Sequence, residues 1–365
     1  MRRFFITDLA GGVIAEVENA SKRTLNYKLN GVDTAAVTAT VSNDVIDAVL
    51  SEVCLLKAYD SNNEIDFFGE IITAEEAAAG PEHTLAITAA GAGQRLAKRH
   101  VGKSVDGVTY TGWDRGAIYR DLIDLTNADG YTGIEIGTIE SISECDAGTW
   151  RYKPALEAML ELSQSLDGCD FAFEAVDAIK RPLGVQLARL NVYTVKGALS
   201  AALFEYGCGR YNVQSFNRSV NFDNLANSIY SLPPGFPDST IQDVLFAESQ
   251  PSIIDNGLKE AMVSTDLVSD DLRQRLVDTH AALRAEPRQT ITFTPMIDVG
   301  GDDAPPRFKT DYDIGDLVTF RAADGLDEYQ RPDVRVDATM RVYNVSIDID
   351  KNGAETVTIG LVQEG

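Results

Sequence analysis

Apolar and polar residues alternate with a period of two from Tyr343 to Ile349 and again from Val357 to Leu361. Such alternation is typical of β-strands that bury one face. Asn352-Gly353 lies between the two runs, and this dipeptide tolerates the positive φ angles that a type I′ turn requires. The pattern therefore predicts a β-hairpin with a type I′ turn at Asn352-Gly353.

A looser copy of this pattern lies near the N-terminus. Residues 52–73 (EVCLLKAYDSNNEIDFFGEIIT) and 83–91 (HTLAITAAG) give an apolar strand, a polar turn led by an aspartate, and a hairpin. Residues 312–325 (YDIGDLVTFRAADG) and 340–361 (MRVYNVSIDIDKNGAETVTIGL) give the same order. The two ends of the chain are therefore predicted to fold into similar β units.

The first 95 residues show strand patterns throughout. Apolar positions alternate with polar ones at 24–29 and 37–42, and Gly, Asn and Asp turns separate the short strands. Short antiparallel strands of this kind indicate a sandwich or a small barrel.

The next hundred residues change to a mixed pattern. Apolar residues recur at helical spacing in 114–128, where Asp114 is placed to cap the helix. They do so again in 151–166, where Pro154 suits the first helical turn. Short strands at 133–137 and 170–176 complete a predicted α+β insert of two helices against a small sheet.

Strand patterns return at 187–230 and then break at a Pro/Gly-rich connector, 231–240. A helix is predicted at 269–287, where Ser269 suits its start and Pro287 its end. The predicted fold is mainly β with α+β inserts: two antiparallel β-barrel-like domains that carry inserted α/β and helical segments. The predicted domains are a first β-barrel at 1–95, an α+β insert at 96–190, a second β-barrel at 191–235 and 289–365, and a helical insert at 236–288.

Taken in order, these segments resemble the tail-tip hub proteins of long-tailed phages, the minor tail proteins of actinobacterial phages. Contractile-phage baseplate hubs and type VI secretion spikes share that architecture. The resemblance covers most of the chain, and the ordered set carries it rather than any single motif. The matching segments are 29–44 (LNGVDTAAVTATVSND), 67–71 (FFGEI), 91–101 (GAGQRLAKRHV), 209–232 (GRYNVQSFNRSVNFDNLANSIYSL), the helical stretch 264–283, 314–318 (IGDLV) and 341–350 (RVYNVSIDID).

The resemblance implies a structural virion protein at the tail tip, assembled in the host cytoplasm. Three copies would surround the tail axis, and two similar barrels in each would give a pseudo-sixfold ring. That ring would join a sixfold tail tube to threefold tip components and form part of the DNA exit channel. The implied partners are two further copies of the chain, the distal tail protein, the tape measure protein, distal tip or fibre proteins, and transiting genomic DNA without specific binding. The last strand ends close to Gly365, so receptor-binding or wall-degrading activities are expected in other proteins.

Two alternatives belong to other classes. A hub or spike component of a contractile injection system would have the same fold, and a neighbouring sheath gene would indicate it. A soluble carbohydrate-binding β protein would need clustered surface aromatics. Trp113 and Trp150 both fall in the predicted α+β insert, near its helices, which disfavours that alternative.

Composition narrows the function further. The chain has 365 residues and 44% hydrophobic residues, which predicts a folded protein of two or more domains. The sequence has no run of about 18 apolar residues, so no membrane span is predicted. Asp8 interrupts the apolar stretch after the N-terminal arginines, so a short strand is favoured over a signal peptide. The cysteines are scattered without a Cys-x-x-Cys motif and are predicted to be free thiols: Cys54, Cys145, Cys169 and Cys208.

The formal net charge of -24 argues against a protein that grips nucleic acid, because such proteins concentrate Lys and Arg. A solvated acidic surface is one explanation. In a tail component, acidic side chains could instead line a duct and repel the phosphates of passing DNA. They would have to lie on the duct wall itself, because screening limits their reach to about 8 Å.

A calcium loop is partly imitated by Asp348–Glu355. Acids occupy its first and third positions, an asparagine its fifth and Gly353 its sixth. The bidentate glutamate required at the twelfth position is replaced by Ile359, and strands rather than helices flank the segment. The pattern favours a hairpin turn over a cation site.

A dinucleotide fingerprint is partly imitated by Gly91-x-Gly93, which follows a strand and precedes a helical stretch. The third small residue, Ala97, falls late. The upstream strands also alternate, whereas the parallel strands of a dinucleotide fold read as continuous apolar runs. Exit from the first β domain is favoured over a nucleotide site.

Acidic loop residues provide another candidate cation site. Gly-Gly and Pro-Pro pairs separate its members, so a solvated loop is favoured, with Asp316 predicted to bond the backbone at a turn. The candidate set is Asp298, Asp302, Asp303, Asp311, Asp313 and Asp316.

Residues for nucleophilic catalysis are scarce. His83 lies in a turn, His100 follows two basic residues and His280 lies on a predicted helix, without a Gly-x-Ser-x-Gly or His-Glu-x-x-His motif. Cys54 lies in an apolar strand, where a thiol is inert. The sequence therefore predicts no catalytic residue, cofactor or metal site and no enzyme. Asn224 and Asn227 are predicted to bond nearby backbone, and a role in an interface is left open.

Overall fold

A computed structural model describes residues 2–18, 20–79, 82–145, 147–165, 168–181, 184–207, 211–232, 244–264, 270–297, 300–301, 304–326 and 332–363. The N-terminal part consists of strands β1 (Arg3–Thr7), β2 (Val13–Glu16), β3 (Ala20–Lys28), β4 (Thr34–Thr40), helix α1 (Asn43–Ser51), and strands β5 (Leu55–Tyr59), β6 (Ile65–Ala79) and β7 (Glu82–Gly91). The prediction that residues 1–95 are strands throughout is wrong at α1. Ile46 and Val49, three residues apart, are buried on the same side of this helix.

The insert follows the predicted mixture of helices and short strands. Asp114 caps its first long helix as predicted, since its Oδ1 accepts from the backbone N–H of Ala117 at 2.9 Å. Pro154 precedes the second helix as its N-cap rather than lying in the first turn. The elements are α2 (Gln94–Ala97), β8 (His100–Val101), β9 (Val108–Tyr110), β10 (Trp113–Asp114), α3 (Arg115–Ala128), β11 (Ile134–Ile139), β12 (Glu144–Cys145), β13 (Gly148–Trp150), β14 (Lys153–Pro154), α4 (Ala155–Gln164), β15 (Asp170–Arg181) and β16 (Gly184–Tyr193).

The C-terminal part returns to strands around a second helical excursion. The predicted helix is confirmed as α6, while Ser269 and residues 233–240 of the connector lie outside the described residues. The elements are β17 (Leu199–Tyr206), β18 (Val213–Asn221), β19 (Ser228–Leu232), β20 (Leu245–Glu248), α5 (Gln250–Asn256), β21 (Glu260–Ser264), α6 (Asp270–Arg284), β22 (Arg288–Pro295), β23 (Leu317–Leu326), β24 (Pro332–Asp350) and β25 (Glu355–Val362).

Two sets of six strands have the same order in the sheet. The first β set reads β3-β4-β7-β6-β5-β1, and the second β set reads β18-β22-β25-β24-β23-β17. If the strands of each set are numbered one to six along the chain, both orders are 2-3-6-5-4-1. One pairing differs in direction: β1 and β5 are antiparallel, whereas β17 and β23 are parallel. The similarity of the two chain ends predicted from the sequence therefore extends to their topology.

A single strand pairing joins the two sets. Lys22–Lys28 of β3 runs antiparallel to Asn344–Asp350 of β24. Together with β2, which pairs with β1, the two sets form one 13-stranded sheet. The hydrophobic core is shared as well, and it includes Phe4 from the first set and Phe293 from the second. The predicted fold class, mainly β with inserted α/β and helical segments, is confirmed. The proposed domain limits stay a prediction.

The C-terminal hairpin is confirmed, but its predicted turn type is wrong. Gly353 has a φ of 84°, whereas Asn352 is not among the residues with positive φ, and a type I′ turn needs both. Instead Asp350 Oδ1 accepts from the backbone N–H groups of Asn352 and Ala354 at 2.8 and 2.9 Å. This aspartate-led loop occurs twice more, at Asp8 and at Asp60, with the same two acceptor bonds.

Candidate assembly surfaces

Asp170 begins β15 and lies where the insert meets both β sets. Asp170 is only 5% exposed. Oδ1 accepts from Nδ2 of Asn30 at 2.7 Å, and Oδ2 accepts from the backbone N–H of Lys196 at 2.7 Å and from Nη2 of Arg341. A buried carboxylate is tolerated when it is paired and fully hydrogen-bonded. This node therefore holds the first set, the insert and the second set in one arrangement.

A second buried carboxylate joins the two sets directly. The Asp66 side chain on β6 is 1% exposed and forms ion pairs with Arg2 and with Lys309, which lies in the loop before β23. Arg2 also pairs with Glu355 of β25 at 3.1 Å. The Lys309 ammonium lies over the Tyr27 ring, 4.5 Å from its centroid. These charges link the start of the chain to its C-terminal hairpin.

Asp33 lies next to this junction, at the end of the β3–β4 connection. Its Oδ1 accepts from the backbone N–H of Lys28 at 2.9 Å, and its carbonyl accepts from the N–H of Gly91 at 2.8 Å. Burial raises the pKa of Asp33 to about 7, although the bond from Lys28 and the nearby Lys309 act in the opposite direction. The charge state of Asp33 therefore depends on its burial and on the nearby Lys309 of the junction.

The candidate nucleotide site at Gly91 and Gly93 is filled by protein. β7 is antiparallel to both of its neighbours, and a Cβ on Gly93 would clash with the ring of Phe173. The cavity beside these glycines measures about 10 Å³, which corresponds to a single water molecule. Gly93 allows the insert to pack closely on the first set, and a pyrophosphate has no room there.

The candidate cation sites have other local roles. Oδ1 of Asp350 accepts hydrogen bonds from backbone N–H groups, and these bonds lower the pKa of Asp350. Asp316 bonds the backbone as predicted, through Ala198 and Asp313. Asp298, Asp302 and Asp303 lie outside the described residues. Within the described ranges, no three His, Cys, Asp or Glu side chains are grouped so that they could hold a metal ion.

The histidines lie on separate elements. Nδ1 of His83 is 2.6 Å from Glu76 Oε1, His100 begins β8, and burial lowers the pKa of His280 on α6. Burial raises the pKa of the Cys54 thiol, as expected for an inert cysteine. Cys54 and Cys169 are free thiols, Cys145 lies on β12, and Cys208 lies outside the described residues.

Asn227 bonds the backbone as predicted. It is fully buried, its Nδ2 donates to the carbonyl of Gly257 at 2.8 Å, and its Oδ1 accepts from the N–H of Lys259 at 2.7 Å. Asn224 is exposed, and its carbonyl accepts from Nε of Arg284. These bonds fix the start of the small sheet formed by β20, β19 and β21.

The small sheet has one covered face and one open apolar face. Ile229 of β19 packs with Val277 and Ala281 of α6 on the covered face. Tyr230 and Phe246 stack elsewhere on the sheet, with ring centroids 6.1 Å apart, and Phe246 is 56% exposed. A shallow groove of about 430 Å³ is lined by Tyr230, Leu232, Val244, Glu260, Ala261 and Met262. Exposed apolar surface of this kind is typical of protein–protein contacts.

Sequence reasoning missed the two buried carboxylates, because isolated acidic residues near strand ends look like solvated turns. The only signal was position: Asp170 directly precedes an apolar strand, and Asp66 lies inside one. In the described part of the chain, no helix has the length and apolar character needed to cross a membrane.

Comparison with protein-family models and with curated proteins gives no match. Among solved structures, the chain is similar to a tail protein from Neisseria meningitidis MC58, with a TM-score of 0.60 and 11% identity over 99% of this chain and 97% of that one. It is similar to the 43 kDa tail protein of prophage MuSo2 from Shewanella oneidensis, with a TM-score of 0.63 and 9% identity over 100% and 98% of the two chains.

A third similar structure is an E. coli component of the type VI secretion system, itself described as structurally similar to T4 bacteriophage tail proteins gp27 and gp5. The TM-score is 0.52, with 9% identity over 95% of this chain and 74% of that one. The chain therefore has the fold of phage tail proteins and of this secretion component, as the resemblance implied.

Proposed function

We propose that the chain is a structural protein of a phage tail, namely the trimeric hub at the tip of a long non-contractile tail. The observation that carries this proposal is the shared 2-3-6-5-4-1 strand order of the two β sets. Three chains with two matched sets each supply six similar units. Such a ring can face a sixfold tube on one side and threefold tip components on the other.

The proposed role is mechanical, and catalysis has no part in it. The hub would bind the distal tail protein, the tape measure protein and distal tip or fibre proteins in the virion, after assembly in the host cytoplasm. The open apolar face of the small sheet supports contacts with other proteins. The net charge of -24 supports a channel wall that does not retain passing DNA.

Native mass spectrometry of the purified protein tests the proposed ring. The expected species has the mass of three chains, and it persists on dilution because subunit contacts close on themselves. A monomer at every concentration, or a dimer, would contradict the proposed hub.

A contractile injection system is the second candidate, and the similarity to the type VI secretion component favours it. The two phage tail proteins have the higher TM-scores. Genes beside the coding sequence separate the candidates: a sheath gene indicates the contractile machine, and its absence the flexible tail.

A further inference from the structure

The strand pairing that joins the two β sets has a counterpart that is left open. Within the chain, the second strand of the first set (β3) pairs with the fifth strand of the second set (β24). Because both sets have the same strand order, the reciprocal pairing would join the second strand of the second set (β18) to the fifth strand of the first set (β6). Within the described residues, β18 and β6 do not pair with each other.

Both strands present an uncovered edge for this pairing. β18 pairs with β22 along its length, and within the described residues no strand pairs with its other edge. β6 pairs with β5 only over Ile65–Glu70. Beyond that point, on the β5 side, Thr73–Ala78 has no paired strand in the described part of the chain, and its side chains are exposed or half-buried. An uncovered strand edge is a template for another chain.

We infer that β18 of one copy pairs antiparallel with Thr73–Ala78 of a second copy, as β3 pairs with β24 within each chain. The inference rests on the proposed hub and specifies the contact between its subunits. Each chain offers one β18 edge and one β6 edge, so the contact is head-to-tail and can close into a ring. In a ring of three, this pairing would occur six times, three times within chains and three times between them.

The register follows from the positions of two irregularities. The pairing of β6 with β7 shifts between Ile71 and Thr73, and the pairing of β24 with β25 shifts between Val342 and Asn344. Thr73 therefore corresponds to Asn344. In the first set, successive strand pairings connect Thr24 to Ala36, Ala36 to Thr88 and Thr88 to Thr73. In the second set, they connect Asn217 to Thr292, Thr292 to Gly360 and Gly360 to Asn344. Asn217 therefore corresponds to Thr24.

This register brings complementary side chains together. By the same correspondence, Arg218 takes the position of Leu25, and Glu76 takes the position of Ile347. Leu25 lies opposite Ile347 within the chain, so Arg218 of one copy would lie opposite Glu76 of the next. Both side chains are exposed in the single chain, where Arg218 bonds Gln289 and Glu76 bonds His83. Opposite charges directly across two strands stabilise the pairing, whereas a slip by one residue would separate them.

Apolar side chains flank both edges. Val220 and Phe222, at the end of β18, are 38% and 59% exposed. Near the open edge of β6, Leu50, Val53 and Ile72 are 49%, 51% and 44% exposed. In the pairing of β3 with β24, Tyr27 occupies the position that corresponds to Val220, and Tyr27 is only 5% exposed. Pairing between copies would bury these side chains in the same way.

Disulfide trapping tests the contact and its register. Ala77 and Asn217 would face each other, and their counterparts Asp348 and Thr24 are 2.6 Å apart at Oδ1 and Oγ1. The A77C/N217C variant should give a disulfide-linked species of three chains on a non-reducing gel. The controls are each single variant and A77C/R218C, in which the second cysteine is on the other face of the strand. A linked ring in A77C/R218C but not in A77C/N217C would overturn the register.

Charge reversal gives a second readout that does not depend on cysteines. R218E and E76R should each weaken ring formation about tenfold or more, and the double variant should restore it. A ring that forms in every variant and never cross-links at Ala77 and Asn217 would overturn this contact while the hub remains. Monomers without cross-links at any concentration would overturn both the contact and the proposed hub.

Discussion

The second strand is buried in the first β set and open in the second. β3 lies between β4 and β24, and its Leu25 is fully buried, whereas among the described strands β18 pairs with β22 alone and its Arg218 is exposed. The two sets otherwise share their strand order. The difference therefore lies in what covers the strand rather than in how each set folds. In the contact inferred above, a second copy of the chain completes the second set.

The largest expected effect comes from separating the two sets at their common node. Asp170→Ala removes the buried carboxylate that pairs with Arg341, so we expect a loss of about 3–5 kcal/mol in the free energy of unfolding. Urea denaturation followed by tryptophan fluorescence and by circular dichroism measures it. Lys103→Ala, which removes a surface ion pair with Asp129, is the matched control and should leave the midpoint unchanged. Equal midpoints for Asp170→Ala and Lys103→Ala would show that the node does not hold the sets together.

A smaller effect compares two glycines, one in each set, at the pairing between the fifth and sixth strands. Gly69→Ala would place a Cβ against the backbone carbonyl of Ala90, so we expect a loss of about 2–3 kcal/mol. Gly360→Ala would place one against the Asn344 side chain, which can rotate away, so the loss should be about 1 kcal/mol. Gly300→Ala faces open space and serves as the control. Thermal unfolding gives the ranking, and a larger loss for Gly360→Ala than for Gly69→Ala would contradict it.

The smallest effect concerns the junction beside Asp33. Its pKa in the folded protein, about 7, exceeds its ordinary value of 3.8, so its contribution to stability is full below that ordinary value and is lost as the pH rises through about 7. Stability should therefore fall between about pH 4 and about pH 7. Asp33→Asn keeps an acceptor for the Lys28 N–H and should remove about 1 kcal/mol of that fall. An unchanged pH profile in Asp33→Asn would assign the dependence to other groups.

Local features of the fold were predictable from the sequence. The C-terminal hairpin, helix α6 and the Asp114 cap of α3 each depend on residues that are neighbours in the chain. The turn type at Asn352-Gly353 was wrong because Asp350 closes the loop with two side-chain bonds. Helix α1 was missed because nine residues between strands give only two or three periodic positions.

Long-range features could not be read from the chain. The pairing of β3 with β24 joins residues more than 300 positions apart, and both strands alternate like any half-buried strand. Asp170 and Asp66 take their roles from partners such as Arg341 and Lys309, which lie far away in sequence. The Phe216, Arg218 and Val220 face of β18 mixes apolar and charged residues, so its pattern does not reveal what covers it.

Electron cryo-microscopy of the purified protein, viewed down the ring axis, tests most directly whether two matched sets let three chains imitate a hexamer. Class averages should show threefold symmetry with six similar β densities around the opening. Compact single particles, or rings whose alternate β densities differ in size and position, would contradict the account.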